Sequence, residues 1–211
     1  MNRYVIITPC YNEENIIQVF LGKLEKTLEK TNKLFTVVVV DDCSTDSSVV
    51  QLKDFNFQTA NHELKVLKLK YNVGHQAAIR QGLRFAANIK ADGYIVMDSD
   101  GEDDPEAINK LVNMPASDII FVSRGKRNED FIFKLGYFVY KVIFKIISGN
   151  NISFGNYSMI SKSVIESLFL QHFEHYSAFL SKSKYEKVIV KFDRNKRYDG
   201  NSKMKLKNLI F

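Results

Sequence analysis

"FTVVVVDD", residues 35–42, decides how the rest of this chain is read. Four consecutive valines leave no polar face, and β-branched side chains favour extended backbone. Such a run fits a strand covered on both faces, as strands are inside a parallel sheet. It stops at two adjacent acids, Asp41 and Asp42.

The same pattern recurs outward from it. "YVIITP" (4–9) is a short apolar run ended by Pro9. After it, Ile16, Ile17, Phe20, Leu24 and Leu28 recur at three- and four-residue spacing, which predicts an amphipathic helix. "LKVLKL" (64–69) is a further strand, followed by a helix expected from about His75 to Ile89. "GYIVMD" (93–98) and "DIIFVS" (118–123) are the next strands, and the final part, "KVIVKFDRNKRYDGNSKMKLKNLIF", reads as a strand followed by a basic, glycine-containing segment. Strands alternating with helices imply an α/β fold with a predominantly parallel sheet. Ligands of such sheets bind beyond the carboxyl ends of the strands. Pro9 to Glu13, Asp41 and Asp42, Asn72 to Gly74, and Asp98 to Asp100 each follow a strand. They are therefore expected to meet along one edge.

The 211 residues suggest a single domain able to bury a proper core. Hydrophobic content of 45% and charged content of 26% are those of a soluble globular protein. Two cysteines, Cys10 and Cys43, make neither a disulfide framework nor a zinc site, so a reduced, cytoplasmic setting is expected. The amino terminus enters a strand directly, with no secretory signal expected, and no stretch is apolar enough to span a bilayer. The net charge of +6 favours anionic partners, whether nucleotide phosphates, a lipid surface or nucleic acid. Nucleic acid is disfavoured: no recognition module is visible, and acids at the strand ends would repel its phosphates.

"YIVMDSDGEDDPEAI" (94–108) crowds acids at a strand end: Asp98, Asp100, Glu102, Asp103, Asp104 and Glu106. Two like charges in contact repel by about 1 kcal/mol in water and about 4 near a partly desolvated surface. Part of the cluster reads as a helix start, with Asp103 or Asp104 as cap, Pro105 in the first turn and Glu106 favoured by the helix dipole. Asp98 and Asp100 need another reason. A hard divalent cation would supply one, because magnesium takes one or two carboxylates together with substrate phosphates. Asp41 and Asp42 are placed to accept from a ribose hydroxyl or base edge, or else to cap the following helix. A dinucleotide-binding Rossmann turn is excluded, since "PCYNEEN" after the first strand contains no glycine.

Taken together, "VIITPCYNEENI", "VVVVDDCSTDSS", "YNVGHQAAIRQGLRFA" and "YIVMDSDGEDDPEAI" resemble the family 2 glycosyltransferases of the GT-A fold. Within them the likeness is to the dolichol- or polyprenyl-phosphate sugar synthase group, from about residue 3 to 207. The resemblance implies that Pro9, Tyr11, Glu13 and Asp42 hold the nucleoside of a nucleotide-sugar, with Asp41, Asn72 and Gly74 beside them. It implies that Asp98 and Asp100 bind magnesium or manganese against the pyrophosphate. Glu102 stands at a third metal position, where these synthases often have glutamine. "SRGKR" resembles a phosphate-binding segment, making Arg124 and Arg127 candidates. "RYDGNSKM" resembles the closing segment R-x-x-G-x-S-K-Y, in which Arg197, Ser202 and Lys203 would grip donor or acceptor phosphate. Arg197 joins Asp98 and Asp100 as a candidate catalytic residue.

One departure stands out. Where these synthases read D-x-G-D-F-R-L-M, this chain has Ser153-Phe154-Gly155-Asn156-Tyr157-Ser158-Met159-Ile160. A family base or acceptor-orienting carboxylate is thus missing there. Glu174, His172 and His175 are nearby candidates for a substitute base. Lys134, Lys141 and Lys145 interrupt the greasy run 131–147 on one helical stripe, as in a core helix with a narrow solvent edge. A lipid-linked acceptor favours the reading of an interfacial helix instead. The expectation is one domain: a nucleotide-sugar and metal part over 1–123, the helix 131–147, and an acceptor side with closing segment over 150–211. The implied enzyme is a metal-dependent, inverting glycosyltransferase. It would use a UDP- or GDP-sugar and a polyprenyl-phosphate acceptor, as a peripheral protein at the inner face of the cell membrane. Transfer to a glycan or lipid-linked saccharide, or donor binding without catalysis, are the alternatives.

Overall fold

The computed structural model describes residues 1–124, 155–169 and 173–192. In chain order the elements are β1 (Arg3–Cys10), α1 (Ile17–Glu29), β2 (Leu34–Asp41), α2 (Ser48–Asp54), β3 (His62–Lys68), α3 (His75–Ala86) and β4 (Gly93–Val96). They continue with α4 (Ala107–Val112), β5 (Ile119–Arg124), β6 (Ser158–Ile160), α5 (Lys162–Phe169), α6 (Tyr176–Lys182) and β7 (Lys187–Phe192). Seven strands among the described residues form one sheet in the order β3-β2-β1-β4-β6-β5-β7. All neighbours run parallel except β6, which is antiparallel to both β4 and β5. The expected single α/β domain with a mainly parallel sheet is what forms.

The valine run explains why the sheet is covered twice. Val37 and Val39 pack with α1, α2 and α4 on one face, among Phe20, Leu24, Leu52 and Leu111. Val38 and Val40 face the other way, against Ile79 and Leu83 of α3, Ile165 of α5 and Leu180 of α6. All four valines are fully buried, each worth roughly 1.5–3 kcal/mol relative to exposure. Gly82 allows α3 to lie this close. A Cβ there would meet Ile7 Cγ2 at 2.5 Å and Val40 Cγ2 at 2.7 Å, both on stiff β-branched side chains.

Two local expectations change. Helix α3 ends at Ala86 rather than Ile89, because the chain tightens: the amides of Asn88 and Ile89 donate to Phe85 and Ala86 carbonyls three residues back. Helix α4 starts at Ala107, with Asp104 Oδ1 accepting from the Glu106 amide at 3.0 Å. Asp103 Oδ2 accepts the Asp98 amide at 2.9 Å. No helix among the described residues is long and apolar enough to cross a membrane. The amphipathic segment 131–147 lies outside the described residues, as do Arg127, Ser153, Phe154, His172, Arg197, Ser202 and Lys203.

Candidate active site

The carboxyl ends of β1, β2 and β3 finish level, since Cys10 pairs with Asp41 and Asp41 with Lys68. The loops beyond them are bound to one another. The amides of Asn12 and Glu13 donate to Ser44 Oγ at 3.0 Å and Ser48 Oγ at 2.8 Å. Asn12 Oδ1 in turn accepts from the Thr45 amide at 2.8 Å. Asn12 (φ 52°) and Cys43 (φ 63°) are held in left-handed backbone, which costs roughly 1–3 kcal/mol per non-glycine residue and persists only where surroundings enforce it.

Asp42 joins this rim to α3. Its Oδ1 accepts from the Val73 amide at 2.7 Å and its Oδ2 from the Gly74 amide at 2.9 Å. The Asn72 side chain donates from Nδ2 to the Asp42 carbonyl at 3.1 Å. Gly74, at φ 84°, makes the left-handed turn that aims both amides at this carboxylate. Asp41 is fully buried, with Oδ1 accepting from the Ser44 amide at 3.2 Å. Ser47, not either acid, stands at the N-cap of α2, and Asp46 Oδ1 accepts the Ser48 amide at 2.9 Å.

The acidic turn docks onto the same rim. Ser99 Oγ lies 2.7 Å from the Pro9 carbonyl oxygen and 2.5 Å from Glu13 Oε2, and its single proton serves one acceptor at a time. Asp98 Oδ1 is 3.0 Å from His75 Nε2 at the start of α3. Asp100 Oδ1 accepts the Glu102 amide at 2.9 Å, which holds the turn tight. Burial alone would push the His75 imidazole down, but the hydrogen bond and charge of Asp98, with Asp100 and Glu13 behind it, leave it raised. Asp98 is the carboxylate in contact with the ring. Close by, burial and then the charge of His75 push the His175 imidazole down.

Of the sequence candidates, Pro9, Glu13, Asp42, Asn72, Gly74, Asp98 and Asp100 are brought together. Tyr11 stands on the loop past β1, 41% exposed, and Arg124 ends β5. Glu102 sits one turn beyond Asp100. Among the described residues, no three His, Cys, Asp or Glu side chains form a ready-made metal cage. The chemistry of the set still suits a hard cation, since Asp98 and Asp100 supply carboxylate oxygens and such an ion takes one or two of these together with phosphate and water. His75 and Ser99 are the site residues that sequence reading missed. His75 follows Gly74 at a strand-to-helix junction, the one available signal.

Residues 5–169 match the family model described as Glycosyl transferase family 2. The chain belongs to this family. Among its relatives, the dolichol-phosphate mannosyltransferase of Pyrococcus furiosus is 28% identical over 219 residues, covering 97% of this chain and 60% of the relative. Glycosyltransferase YkcC of Bacillus subtilis is 23% identical over 219 residues, covering 99% of this chain and 65% of its own length. This family 2 chain thus spans 60% to 65% of the curated relatives it matches over nearly its whole length. The mannosyltransferase PcManGT from Pyrobaculum calidifontis, solved with GDP-Man and Mn2+, superimposes with a TM-score of 0.63 at 18% identity, over 95% of this chain and 58% of that one. The fold is GT-A.

Proposed function

We propose that this family 2 chain transfers a sugar from a nucleotide-sugar to a polyprenyl-phosphate type of acceptor, with inversion and with a divalent ion. The observation that carries this reading is the meeting of three loops at one rim: Asp98 against His75, Ser99 against Pro9 and Glu13, and Asp42 against the Val73 and Gly74 amides. Donor diphosphates and acidic side chains share such a rim only when a cation joins them. Asp98 and Asp100 would hold magnesium or manganese, with Glu102 adjacent. The ion would supply charge neutralisation for the departing diphosphate. The chain's own residues do the rest. Asp42 and Gly74 fix the strand-to-helix turn, Ser99 holds the acidic turn against Pro9 and Glu13, and the exposed Tyr11 would lie against the nucleoside.

The acceptor class is supported by relatives: dolichol phosphate in the name of the Pyrococcus furiosus protein, and undecaprenyl phosphate in that of a Pectobacterium carotovorum transferase, 30% identical over 132 residues. A peripheral position at the inner face of the cell membrane follows from such an acceptor. The purified protein with donor, manganese and polyprenyl phosphate should release nucleotide. EDTA should stop that release, and Asp100→Ala should lower it about a hundredfold or more. Undiminished turnover in either case removes the metal from the mechanism. A labelled product that survives mild acid would instead support transfer to a saccharide hydroxyl. Donor binding by calorimetry with no turnover on any acceptor would leave a non-catalytic binder.

A further inference from the structure

Strand β6 is the antiparallel member of the sheet, so it brings its amino-terminal end to the catalytic rim. Its Ser158 pairs with Val96 of β4. Two residues beyond Val96 is Asp98; two residues before Ser158 is Asn156. The register therefore sets Asn156 level with the acidic turn, half-buried, and linked to it through one side chain. Gln76 Nε2 donates to Asn156 Oδ1 at 3.3 Å and lies 3.4 Å from His75 Nδ1, whose ring holds Asp98.

The orientation of both amides follows from one donor. The Tyr176 amide can only donate, and it meets Gln76 at 2.8 Å, so the atom it meets is Oε1. Gln76 must then offer Nε2 to Asn156, and the atom of Asn156 that receives it must be Oδ1. That leaves Asn156 Nδ2, an N–H donor, as the end turned away from Gln76. The backbone is held as well. Burial keeps the Tyr176 phenol protonated by pushing it up, and its oxygen is 3.0 Å from Ser158 Oγ. Ser158 Oγ donates its own proton to the Asn156 carbonyl at 3.0 Å, so Tyr176 donates to Ser158. Tyr176 thus fixes Asn156 twice, through Gln76 at the side chain and through Ser158 at the main chain.

We infer that Asn156 is an acceptor-binding residue that presents Nδ2–H to an acceptor phosphate oxygen, and that Gln76 is the positioning residue that sets this polarity. The inference rests on the sugar-transfer reading above. An amide can orient an oxygen but cannot take a proton from a hydroxyl, so this position suits an acceptor already carrying its charge. In the step it serves, a phosphate oxygen bonds to the anomeric carbon while the bond from that carbon to the diphosphate oxygen breaks. The electron pair leaves with the nucleoside diphosphate, and no proton need be removed.

The test measures donor and acceptor KM separately, using a short-chain polyprenyl phosphate and the matching polyprenol. Wild type should use the phosphate and not the alcohol. Asn156→Ala should raise the KM for polyprenyl phosphate about tenfold, the size expected for one hydrogen bond to a charged group, with donor KM within about twofold. Gln76→Met should also raise acceptor KM, but should add little in the Asn156→Ala background, because the two act as a unit. A merely structural Gln76 would keep its full effect there. An unchanged acceptor KM in Asn156→Ala, full additivity of the pair, or equal use of polyprenol each overturns the assignment while transfer itself stands. Absence of transfer to polyprenyl phosphate by wild type, with donor still bound, overturns the transfer reading and this inference with it.

Discussion

Tyr4, Phe35 and His62 form one row across β1, β2 and β3; Cys10, Asp41 and Lys68 form another, further along the same strands. The first row is packed rings, stacked at Tyr4 and Phe35 and edge-on at His62. Tyr4 and Phe35 lie 5.8 Å apart, Phe35 and His62 5.6 Å, and Phe57 closes against His62 at 5.9 Å. The second row ends in polar loops that bend through left-handed backbone, and it buries Asp41 with one carboxylate oxygen lacking a partner among the described residues. Both ends carry left-handed backbone and buried polar atoms without a partner among the described residues: Asn32 and the His62 ring nitrogens at the first, Cys43 and Asp41 Oδ2 at the second. What differs is the filling, since rings pack the first end and polar loops take up the second.

That contrast can be broken from either end. The largest stability effect is expected from Phe35→Ala. It removes a 2% exposed ring from the centre of the row, costing about 3–5 kcal/mol in urea denaturation, with donor KM unchanged in the remaining folded protein. A matching loss of donor affinity would mean that the two ends are not independent. Asp42→Ala comes next. It strands the Val73 and Gly74 amides, so it should lower stability by about 1–3 kcal/mol while sharply weakening donor binding. Intact donor affinity would detach this carboxylate from the site.

The smallest effect concerns His62. Burial holds its imidazole below the ordinary value, against the opposing pull of Glu25 and Glu29. The folded protein therefore prefers the neutral ring. Its contribution is complete above the unfolded value of about 6.5, and declines as pH falls from there through the folded value. Thermal unfolding of His62→Phe should accordingly lose less stability than wild type between pH 7 and pH 5. Parallel pH profiles would show that the ring titrates alike in both states.

The chain's pattern made much of this readable. Apolar runs ending in Pro9, Asp41 and Asp98 mark strand ends, and alternation with helices places those ends on one side. Both are local properties of consecutive residues, which is why the convergence of Pro9, Asp42 and Asp98 could be expected. The antiparallel β6 could not. Three residues carry too little periodicity to declare a direction, and its neighbours β4 and β5 come earlier in the chain. Asp42 was readable as an acid at a rim, but not as the acceptor for two amides some thirty residues away.

By itself, the sequence determined the layers, because burying β-branched runs on two faces needs helices on both sides, and it determined that acids gather where those runs stop. Only the tertiary structure decided what each acid faces. His75 against Asp98 and Gln76 against Asn156 are pairings across loops, set by how α3 seats on the sheet over Gly82. Short-range hydropathy fixes an element's existence, whereas the direction of a hydrogen bond depends on which distant group packing brings within 3 Å or so.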